Sequence, residues 1–427
     1  MADRIALPSP PTGDLAVGMG PDNLHRKQQM GMRASIAEGS MFYIWFNAVS
    51  GSFLTGFALY LGAGGFAIGV LSSLAAFATM LQVLCAPLVG KLHGRQKWMA
   101  LFSGLQRVTV ALAGLLALKL APSHLALPLF VGLNIFAWVF QAPLSVIWQG
   151  YMTDLVPLPI RGRYLSKRAG LTLVFSVVAT LAYGWILDRW PGATGFGFLY
   201  WGCMIGAVGD LLTWIWHKEL PPGERPQTRP FWESFRAPLT RKGPHRPFAL
   251  FLAAWALAQN LAVPFFAVQL VQKLQISFGM VALLTTLSSL AAIFTSTLWG
   301  RLQDRIGESK TIGILAVGLT VVPLLFLAGH TFGWAALILA HLLFGSFNNA
   351  MLLSQQTLIM RLAPADNRGS YFAFFASAGG LTGFLTPVLA GPFTTHYIGP
   401  LFVAAALLSA GLAVLWYGRL AKAVDGR

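Results

Sequence analysis

Polar residues along this chain are interrupted by twelve apolar stretches of roughly 20 residues, each long enough as a helix to cross a hydrocarbon core. They fall at about 38 to 61, 66 to 89, 98 to 118, 125 to 152, 165 to 187, 197 to 216, 248 to 271, 278 to 299, 311 to 329, 334 to 360, 371 to 394 and 400 to 418. The expected fold is therefore an all-α integral membrane protein with twelve spans. Internal prolines such as Pro143, Pro264 and Pro387 do not argue against it, because membrane helices tolerate proline where neighbours compensate the freed backbone groups. The longest polar connection, 217–247, divides the spans into two sets of six. The expected organisation is a tail over 1–37, bundles over 38–216 and 248–418 joined by that linker, and a tail over 419–427. Within the linker, Pro230 to Ala237 has the aromatic content of a short helix lying on the membrane surface, with Phe231, Trp232 and Phe235 facing lipid, though a plain flexible linker fits as well.

The two sets repeat one another. Arg161-Gly162-Arg163-Tyr164 and Arg368-Gly369-Ser370-Tyr371 lie 207 residues apart, each with a proline four positions upstream. Gly90 and Arg95 answer Gly300 and Arg305 at an offset of 210. Duplicated membrane halves are a common way to place one site between two bundles that rock against each other.

Composition agrees with the pattern: 56% of residues are hydrophobic and only 10% charged, outside the range of a soluble domain. The net charge of +16 would suit a nucleic-acid partner if it were spread over one surface. Instead, 26 of the 30 Lys and Arg fall in the tails and the even-numbered connections, leaving Lys119, Arg189 and Lys273 on the other side and Arg107 inside a span. That asymmetry predicts cytoplasmic termini, excludes nucleic acid and makes the lipid bilayer the principal partner. The leading residues have no apolar core of a signal peptide and are expected to be a flexible tail. Cys85 and Cys203 suggest neither a disulfide nor a metal site, and no cofactor is expected.

The segment Gly300 to Lys310 resembles the loop signature of the major facilitator superfamily of secondary transporters, matching at Gly300, Asp304, Arg305, Gly307 and Lys310. The first copy, with Gly90, Arg95 and Lys97, is shorter and has Gly94 where the acid should be. The resemblance spans residues 38 to about 420. It implies two pseudo-symmetric six-helix bundles, a multi-pass location in a plasma membrane (bacterial inner membrane), and gating loops that include Arg161 and Arg368. In that family the loop acid is thought to hold an Arg and a helix end, fastening the bundles on the cytoplasmic face in the outward-open state. The physics agrees, since a carboxylate at a helix terminus is a reversible electrostatic latch.

Aligning the halves also pairs polar residues in spans 4 and 10: Asn134 with His341, Gln141 with Asn348, Trp148 with Gln355 and Gln149 with Gln356. Their spacing of about two helical turns sets them on one stripe of each helix. Amides facing lipid cost several kcal/mol unless paired, so the stripes should face inward, as cavity lining or as helix-to-helix contacts. The resemblance implies that spans 1, 4, 7 and 10 line the cavity, which adds Trp45, Asn47, Ser50, Trp255, Gln259 and Asn260. Arg107, in mid-span, needs a partner. Asp210 lies at a similar depth, and a structural ion pair away from the cavity is expected. Glu38 and Asp154, near span ends, and His341 complete the candidates for proton coupling; facilitated diffusion is the alternative. Gly184 and Gly391 occupy matching places in spans 5 and 11, where small residues allow close approach across the bundle interface.

The expected function is alternating-access transport of a small, neutral or weakly charged organic solute through an aromatic, amide-rich cavity of little charge, with H+ as a candidate partner and the chain acting as a monomer. A drug-like efflux pump of the same fold is the nearest alternative; a receptor or assembly factor that lost transport is the alternative from another class. No zinc-type helix motif, nucleophile elbow or paired acids suggest an enzyme.

Overall fold

The computed structural model describes residues 21–89, 92, 94–121, 123–218, 232, 235–236, 244–363 and 368–425. Of the expected surface helix in the linker only Trp232, Phe235 and Arg236 are described, with the Phe235 ring 5.7 Å from that of Phe374; the loop residue Gly90 and residues 1–20 fall outside the described residues. The described residues are helical almost throughout, with no strand among them.

Ten helical segments are long and apolar enough to cross a membrane. Two of them are too long for one crossing: Glu308–Leu362 has 55 residues and Tyr371–Leu420 has 50, where about 20 suffice. Glu308–Leu362 turns back at Gly333, whose φ of 55° lies in the left-handed region that glycine adopts without a Cβ penalty. The second long segment breaks between the helix Arg368–Ala390 and the next, Thr394–Leu415, through the short turn Gly391–Phe393 with Pro392 at its start. Each holds two spans, so the total is twelve.

Span 1 begins earlier than hydropathy suggests. Its first helix runs Pro21–Ala48, so residues 21–36 are not a flexible tail. Met32 and Ser35 are buried there, and the Tyr164 hydroxyl donates to the Met32 carbonyl at 2.7 Å. This extension is too polar to register as a span, yet it gains helical hydrogen bonds and packs on spans 4 and 5. Span 5 likewise runs Leu158–Arg189, beginning within the repeated loop.

Three of the four spans expected to line the cavity are discontinuous. Span 1 breaks between Pro21–Ala48 and Gly51–Tyr60, with Ser50 extended (φ −140°, ψ 166°) and Gly51 at φ 54°. Span 7 ends its α-helix at Asn260, turns through Val263–Phe265 with Pro264 inside, and finishes as a wide helical turn, Gln269–Lys273. The two breaks correspond under the 210-residue offset. Span 4 divides at Phe140 into Ala126–Val139 and Gln141–Leu155. Pro143 lacks the N–H that would bond to the Val139 carbonyl, so the helix opens one turn before it.

The halves meet along two seams, span 2 against span 11 and span 5 against span 8. Adding six to 2 and 5 gives 8 and 11, so the seams are equivalents under the repeat. On the face opposite the termini, outer by the charge asymmetry, both seams are tight. A Cβ at Gly65 would fall on the Gly391 carbonyl, and one at Gly184 on Ala282 and the Phe278 carbonyl. Toward the inner face, Gly162, Gly170 and Gly300 have open space around them. The halves are in close contact at both of these outer places.

Candidate functional site

A central cavity lies where the broken spans face one another, and two more adjoin it within the first half, toward the inner face. The central one, about 360 Å³, lies between the breaks: Ser50 and Gly51 on one side, Asn260, Val263 and Pro264 on the other, with Trp138, Phe326, His341 and Phe344 completing its wall. The second shares Phe46, Ala75 and Trp138 with it and adds Trp45 and Gln82. The innermost, about 300 Å³, shares Phe42, Gln141 and Ser145 with the second and adds Glu38, Arg107, Trp148, Gln149 and Arg168.

The inner cavity is charged, contrary to the expectation of little charge. Arg107 contacts Asp210 directly and its Nη2 stands 3.8 Å from Glu38. Arg168 donates to Glu38 at 2.9 Å and to the Ser35 hydroxyl at 3.0 Å. The Ser103 hydroxyl bridges Asp210 and Arg107, and the Trp214 indole donates to Asp210 at 3.3 Å. Two cations therefore balance two carboxylates in a nearly dry site, with Glu38 between the two guanidinium groups. Aromatic faces screen the cations further: Arg107 lies 5.0 Å from the centroid of Phe42, and Arg168 5.2 Å from that of Trp148. Arg107 thus meets Asp210 but also lines a cavity, a role that the general placement of span 3 does not suggest.

The polar candidates divide. Gln141, Trp148 and Gln149 line the inner cavity, Trp45 and Gln141 the middle one, and Ser50, Asn260 and His341 the central one. The Trp45 indole is fixed by donating to the Arg107 carbonyl at 3.1 Å, and the Gln141 amide donates to Ser145 at 2.7 Å while its oxygen lacks a partner. The others line none of the three. Asn47 donates to Ser176 of span 5 at 3.0 Å and Gln259 to Ser409 of span 12 at 3.1 Å, so both tie helices of one half together. Asn134 is buried and donates to its own helix at Phe130. Trp255 stacks on Phe251. Asn348 and Gln355 are half-buried and Gln356 is exposed.

Of the gating residues, Arg95 pairs with Asp154 at 2.6 Å within its own half. Its counterpart region pairs Glu308 with Arg361 at 3.2 Å. Asp154 and Arg361 correspond under the 207-residue offset, and Arg95 and Glu308, offset by 213 because the second loop is longer, each open their helix directly after a glycine at positive φ, Gly94 and Gly307, so the same structural place carries an ion pair of reversed polarity. Arg161 donates to the Thr153 and Val156 carbonyls at 2.7 and 3.0 Å, closing the carboxyl end of span 4; a cation there also complements the helix dipole. The helix of span 11 starts at Arg368, whose side chain lies outside the described residues. Gly307 at φ 84° ends span 8. Asp304, Arg305 and Lys310 are exposed, and none has a hydrogen-bond or ion-pair partner among the described residues.

One cavity residue, Arg168, is missing from the sequence reading, and another, Glu38, is expected from it near a span end and not in the cavity wall. Arg168 sits in the first third of span 5, in line with Arg161 and Tyr164 at helical spacing; Glu38 lies well inside span 1, not at its end. Beyond the inner end of span 6, His217 is buried, with Nδ1 3.1 Å from the Thr213 carbonyl and its ring 4.6 Å from that of Trp214. Burial pushes its pKa below 6.5, against smaller raising contributions from the Thr213 hydrogen bond and Glu38. No group of three or more metal-ligating side chains occurs among the described residues.

Twelve spans in two like halves with a cavity between broken helices define a secondary-transporter fold. Residues 248–426 match the sequence model of the Major Facilitator Superfamily. Solved structures of the same architecture include the nucleoside transporter NupG (TM-score 0.66, 14% identity, covering 92% of this chain and 98% of that one). A D-xylose-proton symporter aligns with TM-score 0.67 at 16% identity over 94% and 98%. A bacterial homologue of the iron transporter ferroportin, in an inward-facing state, gives 0.68 at 15% over 93% and 100%. No curated protein matches the sequence. The chain therefore shares the fold of these transporters, and its second half resembles the major facilitator superfamily in sequence.

Proposed function

We propose that this protein is a carrier moving a small amphiphilic organic solute across a bacterial inner membrane by alternating access, with proton coupling at the Glu38, Arg107, Arg168 and Asp210 cluster. The bundles 38–216 and 248–418 act as the moving bodies of a monomer. The observation that carries this reading is the apolar, aromatic cavity between the halves, continued toward the inner end by two adjoining cavities of the first half, the innermost of them charged. A solute with an apolar body and one polar or weakly charged end fits that gradient. Its body would lie against Trp138, Phe344 and Trp148, and its polar end near Gln141 and Glu38. The similarity to a D-xylose-proton symporter lends support to uptake with a proton, at the level of fold.

Glu38 suits the coupling role because its two neighbours respond to its charge. Neutralising it would leave Arg168 and Arg107 with one carboxylate between them, raising the site's affinity for a negative end group; restoring the charge would expel it. The test is a thermal-shift screen of the purified protein against sugars, nucleosides, amino acids, monocarboxylates and cationic drugs at pH 5.5 and 7.5, followed by uptake of each hit into proteoliposomes with and without a pH gradient. A ligand at 100 times its Kd stabilises by about 2.7 kcal/mol. Uptake driven by an inward proton gradient is expected. Binding without uptake under any gradient would favour a receptor over a carrier, and uptake indifferent to the gradient would favour facilitated diffusion.

A further inference from the structure

Among the described residues, the side-chain hydrogen bonds that cross from one half to the other both end on a single group, the carboxylate of Asp188. Asp188 stands at the outer end of span 5. It accepts from the Ser277 hydroxyl at 2.9 Å and from the Gly279 backbone N–H at 3.0 Å. Both donors belong to the amino terminus of span 8, the 29-residue helix Phe278–Ile306.

The turn feeding that helix is built to present them. Span 7 ends with Gln275 at φ 53°, a left-handed conformation that a side chain other than glycine adopts at a cost. The Ile276 N–H returns to the Leu270 carbonyl at 3.0 Å, closing the end of span 7. Only Ser277 then separates the closure from span 8, and its oxygen also accepts from Met280 N at 3.4 Å as the cap of its own helix. The unpaired N–H groups at the start of a helix, with its dipole, favour a negative charge. Asp188 supplies that charge from the opposite bundle. The small residues around it are needed for the approach: a Cβ at Gly279 would fall on the Asp188 carboxylate, and Gly184, one turn before Asp188, lies against Gly279.

We propose that Asp188 is the outer latch of the transport cycle, a positioning residue that caps span 8 across the bundle interface and holds the outer face shut while the inner face is open. Every polar contact it makes in this state must break when span 5 leaves span 8, so its strength sets the balance between the two access states. It does on the outer face what the family loop around Asp304 is thought to do on the inner one, by the same carboxylate-to-helix-end chemistry. This inference rests on the alternating-access reading, but its test needs no solute.

The test measures outside access to the central cavity. Thr55, buried on its wall, is replaced by Cys in full-length protein carrying Cys85→Ser and Cys203→Ala, and labelled in right-side-out vesicles with a membrane-impermeant thiol reagent. Loss of a charge-assisted hydrogen-bonded latch should raise the labelling rate by roughly five- to tenfold in Asp188→Ala. Ser277→Ala, which leaves the backbone donor in place, should give a smaller rise, and Asp188→Asn, which keeps an acceptor oxygen without the charge, should fall between. Unchanged labelling in Asp188→Ala and Ser277→Ala proteins of wild-type thermal stability would overturn the latch. If Asp188→Ala does not fold, the Asp188→Asn and Ser277→Ala rates decide the matter in the same way. Unchanged labelling alongside intact uptake would sink the latch alone, whereas absent uptake with altered labelling would sink the carrier reading and leave the latch.

Discussion

The two halves share a fold but divide the chemistry between them. Spans 1 to 6 hold a buried set of two arginines and two carboxylates: Arg107, Arg168 and Glu38 line one cavity, and Asp210 lies fully buried behind Arg107. Spans 7 to 12 face the central cavity with Asn260, His341 and aromatic rings and bring no charged side chain to it. Span 4 breaks at Pro143 and turns Gln141 toward the cavities; its partner in span 10 has Ala350 at the matching place, runs unbroken there, and leaves Asn348 half-buried off the cavities. Duplication supplies the framework, and substitution in one copy supplies the electrostatics. The first half therefore carries the buried charge, and the second completes the apolar wall of the central cavity.

The largest effect expected from breaking this division is on stability. Asp210→Ala leaves the buried Arg107 with Glu38 alone, at 3.8 Å, and should cost about 3 kcal/mol, the lower end of the usual penalty for removing one partner of a buried pair. Replacing both residues by leucine should recover much of that loss in a chemical-denaturation series. No single substitution of a cavity residue in the second half should come near it.

Next in size is the coupling. Glu38→Gln is expected to abolish the pH dependence of uptake while leaving thermal-shift detection of the solute in place; His341→Gln should leave that dependence intact. The opposite pattern would move the proton to the second half and invert the comparison. A smaller contrast separates the amides. Gln141→Ala should weaken solute binding roughly fivefold, the scale of one lost hydrogen bond, and Asn348→Ala by less than about twofold, as read by isothermal titration.

The smallest effect concerns His217. Its folded-state pKa lies below the ordinary 6.5 because burial disfavours the charged ring. The unfolded chain therefore binds this proton more readily, and the stabilisation present above pH 6.5 is lost as pH falls through the folded value. Melting temperatures taken from pH 7.5 down to 5 should decline less steeply in His217→Gln than in the native chain.

Much of this was legible before any coordinates. Apolar length alone marks the spans, and the 210-residue offset that aligns Ser50 with Asn260 also aligns the two helix breaks flanking the central cavity. What escaped were charges near span boundaries. Hydropathy begins span 1 at 38 and span 5 at 165, so Glu38 reads as an end residue and Arg168 as a cytoplasmic anchor. Helical hydrogen bonding and packing extend those helices to Pro21 and Leu158, which turns both side chains inward. Asp188, taken singly, is an acid at the edge of a loop; only the contact between spans 5 and 8 gives it a partner. The amide stripes had the reverse fault. Register in the repeat aligns residues in sequence, but Asn47 and Gln259 have hydroxyls of neighbouring helices within reach and spend their amides there.

The reversed ion pairs at the inner ends of the spans carry a consequence for descent. Arg95 with Asp154 and Glu308 with Arg361 occupy equivalent places with acid and base exchanged. A single ancestral half could have carried only one order, so at least one copy passed through a pair of compensating substitutions after duplication without losing the bond. Selection at this position preserves the tie and is indifferent to which end is acidic. Among relatives, substitutions at 95 and 154 should track one another, as should those at 308 and 361, with no such tracking between the two sets.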